Sequence, residues 1–269
     1  MRRLLLAVAL TMAPALAGAQ EPLRLYAAGS LRASLTEVSE AFTRDQGAKV
    51  ALTFGASGLL RERIEKGEPA EVFASADMQH PTTLMKAGKA GPVTLFVRNQ
   101  LCGLAQPGLA VSPAALLDRM LDPTVKLGTS TPRNDPSGDY TWVLFEKAEK
   151  LRSGAFKALD AKALKLVGAA DSPQPPAGRT AYGWLMGEKK ADLFLTYCTN
   201  AILATREVPG LQMVSIPEAL AVGADYGLTV MKGARTDAGF LALYILSPAG
   251  QQILARHGFT AVAVPAAGS

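Results

Sequence analysis

An α/β protein of two lobes with a cleft between them is the fold this chain predicts, on three observations. Apolar runs of strand length alternate with segments of helical period through residues 23–76 and again through 113–197, the pattern of a parallel sheet with helices on its faces. A long extended stretch at 92–105 separates these units and is suited to carry the chain from one into the other. The C-terminal part offers one strand, at 226–231, and then two helical stretches, so it most economically returns to complete the first unit. Two crossings then join the lobes: residues 20–100 plus 222–269 form the first, 101–221 the second, each a mostly parallel sheet flanked by helices.

The elements follow in order. Met1-Arg2-Arg3, the apolar run 4–10 and Ala17-Gly18-Ala19 are the basic, apolar and small-residue parts of a secretory signal peptide, expected at 1–19. The apolar run is well short of the ~20 residues a membrane span needs, so a soluble exported protein is expected, and no lipobox cysteine follows it. Strand 23–27 is apolar, and Leu31, Leu35, Val38 and Phe42 then recur at helical spacing up to Gly47. Strand 49–54, a short helix at 58–66 and strand 71–76 complete the first alternation. Beyond the extended stretch, the pattern predicts a helix at 113–120, a strand at 125–129, helices at 140–152 and 181–189, and a strand at 192–197. The terminal helices are expected at 236–245 and 248–257.

Composition narrows the function classes. The 269 residues are 49% hydrophobic and 19% charged, with no low-complexity tract, which is ordinary for a folded chain with room for two domains. Losing Arg2 and Arg3 takes Lys+Arg from 28 to 26 against 23 Asp+Glu, a formal charge near +3, and the basic residues are scattered. The electrostatic footprint of a nucleic-acid binder is therefore missing. The two cysteines, Cys102 and Cys198, leave two readings open in an oxidising compartment: one disulfide, or two separate buried thiols.

Chemistry concentrates at loop-to-helix junctions. Ser30 in AAGSLRASL, Ser57 in TFGASGLLRER and Ser137 in NDPSGDYTW each precede or open a helical segment. A hydroxyl beside the free N–H groups of a first helical turn holds an anion without a fixed positive charge. In an α/β sheet, Ser30 and Ser57 fall beyond the carboxyl ends of their strands, where ligands bind. The bland alternative for each serine is an N-cap, worth about 1 kcal/mol of helix stability.

With these residues in view, YAAGSL, FGASGLLRERIEKGEPAEVFASAD, the DPSG turn, a strand ending in Tyr197 and RHGF near the end resemble the periplasmic molybdate-binding proteins of ABC transporters, over about residues 23–259. The resemblance implies a class II periplasmic binding-protein fold that closes around a tetrahedral oxyanion, molybdate or tungstate, in a monomer that delivers it to an inner-membrane permease. It implies hydroxyl donors at Ser30 and Ser57, a backbone N–H from Ser137 and a phenolic O–H from Tyr197. Arg179 falls where relatives commonly place a small apolar residue that donates through its backbone, and Asn200 near where they often place an acid. These departures keep a different anion, or a small organic acid held by Arg179, as the alternative. Molybdate and tungstate offer only acceptor oxygens at neutral pH, so the site is expected to contain donors only, and a ligand O–H would find no acceptor there.

The remaining candidates take plainer readings. Asp77 and His80 in SADMQHP are two groups, too few for a metal, and are read as a capping aspartate and a surface histidine. Asp135 and Asp139 flank the DPSG turn and are read as helix caps. Trp142 and Trp184 are read as core packing. An exported serine hydrolase is disfavoured: GASG does not fit the G-x-S-x-G elbow, and neither His80 nor His257 stands in a triad pattern. No cofactor and no direct cation ligand are expected.

Overall fold

The computed structural model describes residues 21–262; the signal peptide expected at 1–19 lies outside them. Along the chain run β1 (Leu23–Ala28), α1 (Arg32–Gln46), β2 (Val50–Gly55), α2 (Ser57–Glu65), β3 (Val72–Ser75), α3 (Gln79–Lys86) and the long β4 (Thr94–Ala105). Then come α4 (Leu116–Leu121), β5 (Leu127–Ser130), α5 (Pro136–Leu151), α6 (Ala155–Lys162), β6 (Leu164–Val167), α7 (Ala181–Gly187), β7 (Leu193–Tyr197), α8 (Cys198–Glu207) and β8 (Gln212–Ser215). The chain closes with β9 (Gly223–Val230), α9 (Thr236–Leu246), α10 (Pro248–Arg256) and β10 (Thr260–Ala261).

One strand belongs to two sheet regions. Thr94–Gln100 of β4 pairs antiparallel with β9, whereas Leu101–Ala105 pairs antiparallel with β7, and Cys102–Ala105 also with β8. On one side the order is β2-β1-β3-β9-β4, with β10 also on β4; on the other it is β4-β7-β5-β6. The sheets are mixed rather than mostly parallel. The β2-β1-β3 and β6-β5-β7 groups are parallel, but β9 runs antiparallel to both β3 and β4, and β4, which follows α3, runs antiparallel to β7 and β8. The segment from β8 to β9 is the second crossing between the two regions.

Apolar positions at helical spacing place Leu35 and Val38 of α1 fully inside, against Leu25 and Ala27 of β1. Each such side chain contributes ~1.5–3 kcal/mol of transfer free energy. A register shift in β4 at Phe96 leaves its carbonyl to be satisfied from outside the ladder. Buried Gln251 of α10 does so, donating Nε2 to Phe96 O at 2.9 Å, while its Oε1 accepts from Val262 N and ties down the C-terminal strand. A second buried side chain spans the point where β4 changes partners: Asn99 Nδ2 donates to Thr199 Oγ1 at 2.9 Å and to Tyr226 Oη at 3.2 Å.

Cys102 and Cys198 form a disulfide, with Cα atoms 4.9 Å apart. Cys198 is not in a strand: it opens α8, beside Thr196, which pairs directly with Cys102 in the β4–β7 ladder. Asp77 takes the capping role expected of it, Oδ1 accepting from the His80 amide at 3.1 Å and from Ser75 Oγ at 2.8 Å at the start of α3, but His80 is buried rather than at the surface. Trp142 is half-buried rather than core, donating Nε1 to Asp160 at 3.0 Å.

Candidate functional site

A cleft of about 770 Å³ opens where strand carboxyl ends from both sheet regions face each other. Its lining includes Ser30, Ser57, Ala76, Tyr197, Asp135 and Arg179. The strand-then-helix pattern of the sequence puts them there. Ser30 sits in the single 3-10 turn between β1 and α1, Ser57 is the first residue of α2 after β2, and Tyr197 ends β7 and begins α8. These are the positions at which α/β sheets bind ligands.

None of the three serines caps its helix. The residues flanking α1 and α2 make no side-chain cap, and in α5 the cap is Asp135, whose Oδ1 accepts from the Ser137 amide at 3.0 Å. Ser57, fully buried, accepts instead from the Ala76 amide at 3.1 Å, which leaves its own O–H to donate. Ser30 Oγ lies 3.0 Å from Tyr226 Oη. Asn99 donates to the same phenol oxygen at 3.2 Å, so Asn99, Tyr226 and Ser30 form one hydrogen-bonded chain that ends at the cleft. Tyr226, bonded to Ser30, and Asn99, bonded to Tyr226, are contacts that the sequence reading missed, 196 residues and 69 residues from Ser30 in the chain.

Tyr197 is 1% exposed, and burial, with Tyr226 and Asp135 nearby, pushes its phenol well above the usual range, so it remains a donor. Its O–H points at Ala76 O at 3.3 Å, a long bond from β7 to the end of β3. Gly58, beside Ser57, donates its amide to Asn134 O at 2.8 Å, a second link between the two sides. With no side chain, Gly58 permits this approach: a Cβ there would lie 2.4 Å from Arg133 O and 2.8 Å from Asn134 O.

Two of the expected site residues differ from expectation. Ser137 is 1% exposed and is not part of the cleft lining; its amide is already taken by Asp135, because Pro136 opens the helix one residue earlier and makes Asp135 the cap. Arg179 does line the cleft, but its guanidinium is held by Glu207, which also accepts from Thr180 N at 2.9 Å. Burial raises the Glu207 carboxyl, but the bonds from Thr180 and Arg179 outweigh it and hold the group below the usual range.

The expectation of a donor-only site is also corrected. Asp135 brings a carboxyl group to the wall of the cleft, and burial pushes it up to about 6 against the bonds from Ser137 and Ser130. Arg32, also missed, lines the cleft with its guanidinium 4.7 Å from the Phe54 ring centroid; burial lowers its affinity for the proton, and no carboxylate pairs with it among the described residues. Among the described residues no group of three or more His, Cys, Asp and Glu is arranged to hold a metal ion.

Residues 23–260 match the family described as bacterial extracellular solute-binding protein. The chain belongs to that family. It is 36% identical over 207 residues to uncharacterized protein PM1146 of Pasteurella multocida, covering 77% of this chain and 86% of that one. It is 26% identical over 246 residues to the molybdate-binding protein ModA of Escherichia coli, covering 88% of each. Its fold superposes on the sulfate-binding protein SubI of Mycobacterium tuberculosis with a TM-score of 0.74 at 19% identity, covering 90% of this chain and 88% of that one. The two-sided α/β architecture is thus that of periplasmic binding proteins, and an extracytoplasmic location follows from the family.

Proposed function

We propose that this protein is an extracytoplasmic receptor for a small tetrahedral oxyanion, molybdate or tungstate in the first instance, which it delivers to an ABC permease in the inner membrane as a monomer. The observation that carries the reading is the convergence of Ser30, Ser57 and Tyr197 on one cleft, each at the end of a different strand and none used as a helix cap. Uncharged O–H donors suit a guest that offers only acceptors. The similarity to a molybdate-binding protein supports the choice of anion, and the fold it shares with a sulfate-binding protein keeps sulfate in the comparison. Binding closes the cleft, excludes water and strengthens each donor contact.

A second reading is favoured by the cleft volume. About 770 Å³ falls in the range of sites that enclose a whole small organic ligand, far more than a five-atom anion fills. Arg32, lacking a carboxylate partner among the described residues, would then meet a second negative group of an organic oxyanion or small organic acid. Arg179 is the less available cation for that purpose, because Glu207 holds it.

A thermal-shift panel of molybdate, tungstate, sulfate, phosphate and small carboxylates tests both. A ligand at a hundred times its Kd stabilises the fold by about 2.7 kcal/mol. For a chain of this size that raises Tm by roughly 5–10 °C. A shift with an inorganic oxyanion supports the first reading, and a shift confined to organic anions the second. No shift with any of them overturns both.

A further inference from the structure

Asp135 is the one acidic side chain lining the cleft among the described residues, and it stands where a bound anion would be repelled. Its placement is built in. Oδ1 caps α5 through the Ser137 amide at 3.0 Å, which fixes the carboxyl at the helix start. Gly168, at φ 90°, passes over it so closely that a Cβ there would lie 2.5 Å from Asp135 Cβ and 3.0 Å from Oδ2. Among the described residues no Lys, Arg or His nitrogen comes within 4.0 Å of this carboxylate.

The groups facing it supply no positive charge. Asp139, one turn along α5, and Asp77, before α3, are both acidic and raise its affinity for a proton. Ser130 from β5 offers a hydroxyl, and Tyr182 from α7 and Tyr197 from β7 present phenols that burial keeps protonated, Tyr182 being pushed up to about 12. His80 faces Asp77, with Nε2 3.7 Å from Oδ2, and Arg133 gives its amide to Asp139 at 2.7 Å. Arg32 and Arg179 line the same cleft but neither pairs with Asp135, so an ionised carboxylate here meets a dianion with no ion pair of its own to offset the repulsion, and two oxygens that both carry negative charge approach only if a proton lies between them.

We propose that Asp135 shares one proton with an oxygen of the bound oxyanion, so that the site takes an anion that either arrives carrying a hydroxyl or is bound together with a proton drawn from solvent. This rests on the oxyanion reading above. In the first case the ligand O–H donates to the carboxylate; in the second the carboxyl O–H donates to a ligand oxygen. The complex holds the same single proton between two oxygens either way, and no other bond changes. Asp135 is thereby the residue that sets which ionic form of the ligand is accepted.

Isothermal titration of the mature chain with molybdate, and separately with inorganic phosphate, tests this between about pH 5.5 and about pH 8.5, in buffer pairs of different ionisation heat. Molybdate arrives without a proton, so its Kd should weaken about tenfold per pH unit above neutrality, with uptake of close to one proton per ion bound. Phosphate carries its own hydroxyl throughout this range and should bind at the alkaline end without that uptake. Asp135→Asn keeps a side chain that caps helices equally well and should make molybdate binding independent of pH. The wild-type proton count stands even if that variant does not fold. Wild-type molybdate binding with a flat Kd and no proton uptake overturns the inference and leaves the oxyanion reading in place; so does a pH slope that survives in Asp135→Asn. Failure of the wild type to bind either anion at any pH takes down the oxyanion reading and this inference with it.

Discussion

Gly58→Ala separates what a residue does for its helix from what it does for the closed cleft. Gly58 is the second residue of α2, where alanine is the better helix former by up to about 1 kcal/mol, so in an opened molecule the substitution is neutral or stabilising. In the closed arrangement the new methyl would sit 2.4 Å from Arg133 O and 2.8 Å from Asn134 O, both backbone atoms of a loop that cannot swing aside as a flexible side chain would. Overpacking of this kind costs about 1–3 kcal/mol. It also lengthens the Gly58 N–Asn134 O bond, which measures 2.8 Å. The penalty falls on the arrangement in which Gly58 touches this loop, so ligand affinity should weaken by about 5–150-fold. Calorimetry gives the affinity, and small-angle scattering gives the radius of gyration, which should rise in the ligand-free variant. An unchanged Kd together with an unchanged radius would refute the idea that this contact belongs to closure.

Four further outcomes are expected. Tyr226→Phe removes the hydroxyl between Asn99 and Ser30 and should weaken ligand binding about 5–30-fold while the near-ultraviolet spectrum shows an intact fold; equal affinity would mean Ser30 is oriented without it. Arg179→Ala should change affinity for an inorganic oxyanion by less than about threefold, since Glu207 already holds the guanidinium, and a large loss in titration calorimetry would show that the arginine turns to the ligand. Glu71→Gln removes a carboxylate that Arg235 grips through Nε at 2.8 Å and Nη2 at 3.0 Å, and that its bonds hold at about 2. A carboxyl depressed in the folded state stabilises above its unfolded value and loses that contribution as pH falls toward the folded one. Denaturant unfolding should therefore show a loss of roughly 1–3 kcal/mol at neutral pH, discounted for the third-exposed arginine and shrinking from about pH 4.5 down to about pH 2. Replacing both Cys102 and Cys198 by alanine opens a loop of 96 residues, for which chain entropy gives at most about 4–5 kcal/mol; a variant as stable as the wild type would contradict the bridge.

Much of the architecture is legible in the chain because its periodicities are strong. Leu31, Leu35, Val38 and Phe42 mark α1, and Val72-Phe73-Ala74-Ser75 marks a strand buried on both faces. What escaped the pattern had physical reasons to do so. β6 is an edge strand, LKLV, with two exposed residues, and α8 begins at Cys198 directly after β7, without a turn residue to announce it. α6 is a short helix of eight residues with only Ala155 and Leu159 buried.

The candidate site divides the same way. Ser30 and Ser57 could be placed on the cleft because each follows a strand, and strand ends can be read from sequence; Tyr197 was pointed to by the resemblance, and the end of β7 brings it to the same cleft. Tyr226 and Asn99 come from strands far away in the chain, β9 and β4, and only their pairing in the sheet brings them to Ser30. Asp135 was correctly read as a cap, but a cap on the wall of a cleft also acts on whatever enters it, and that depends on the loop after β6 folding over it. Arg179 looked free for the opposite reason: Glu207, which holds it, lies 28 residues on, in a helix with no sequence signal.

A crystal structure of the mature protein grown with molybdate tests the central claim most directly. The anion should lie in the cleft with Ser30 Oγ and Ser57 Oγ each about 3 Å from one of its oxygens. An anion bound elsewhere, or one in the cleft that neither serine touches, would contradict it.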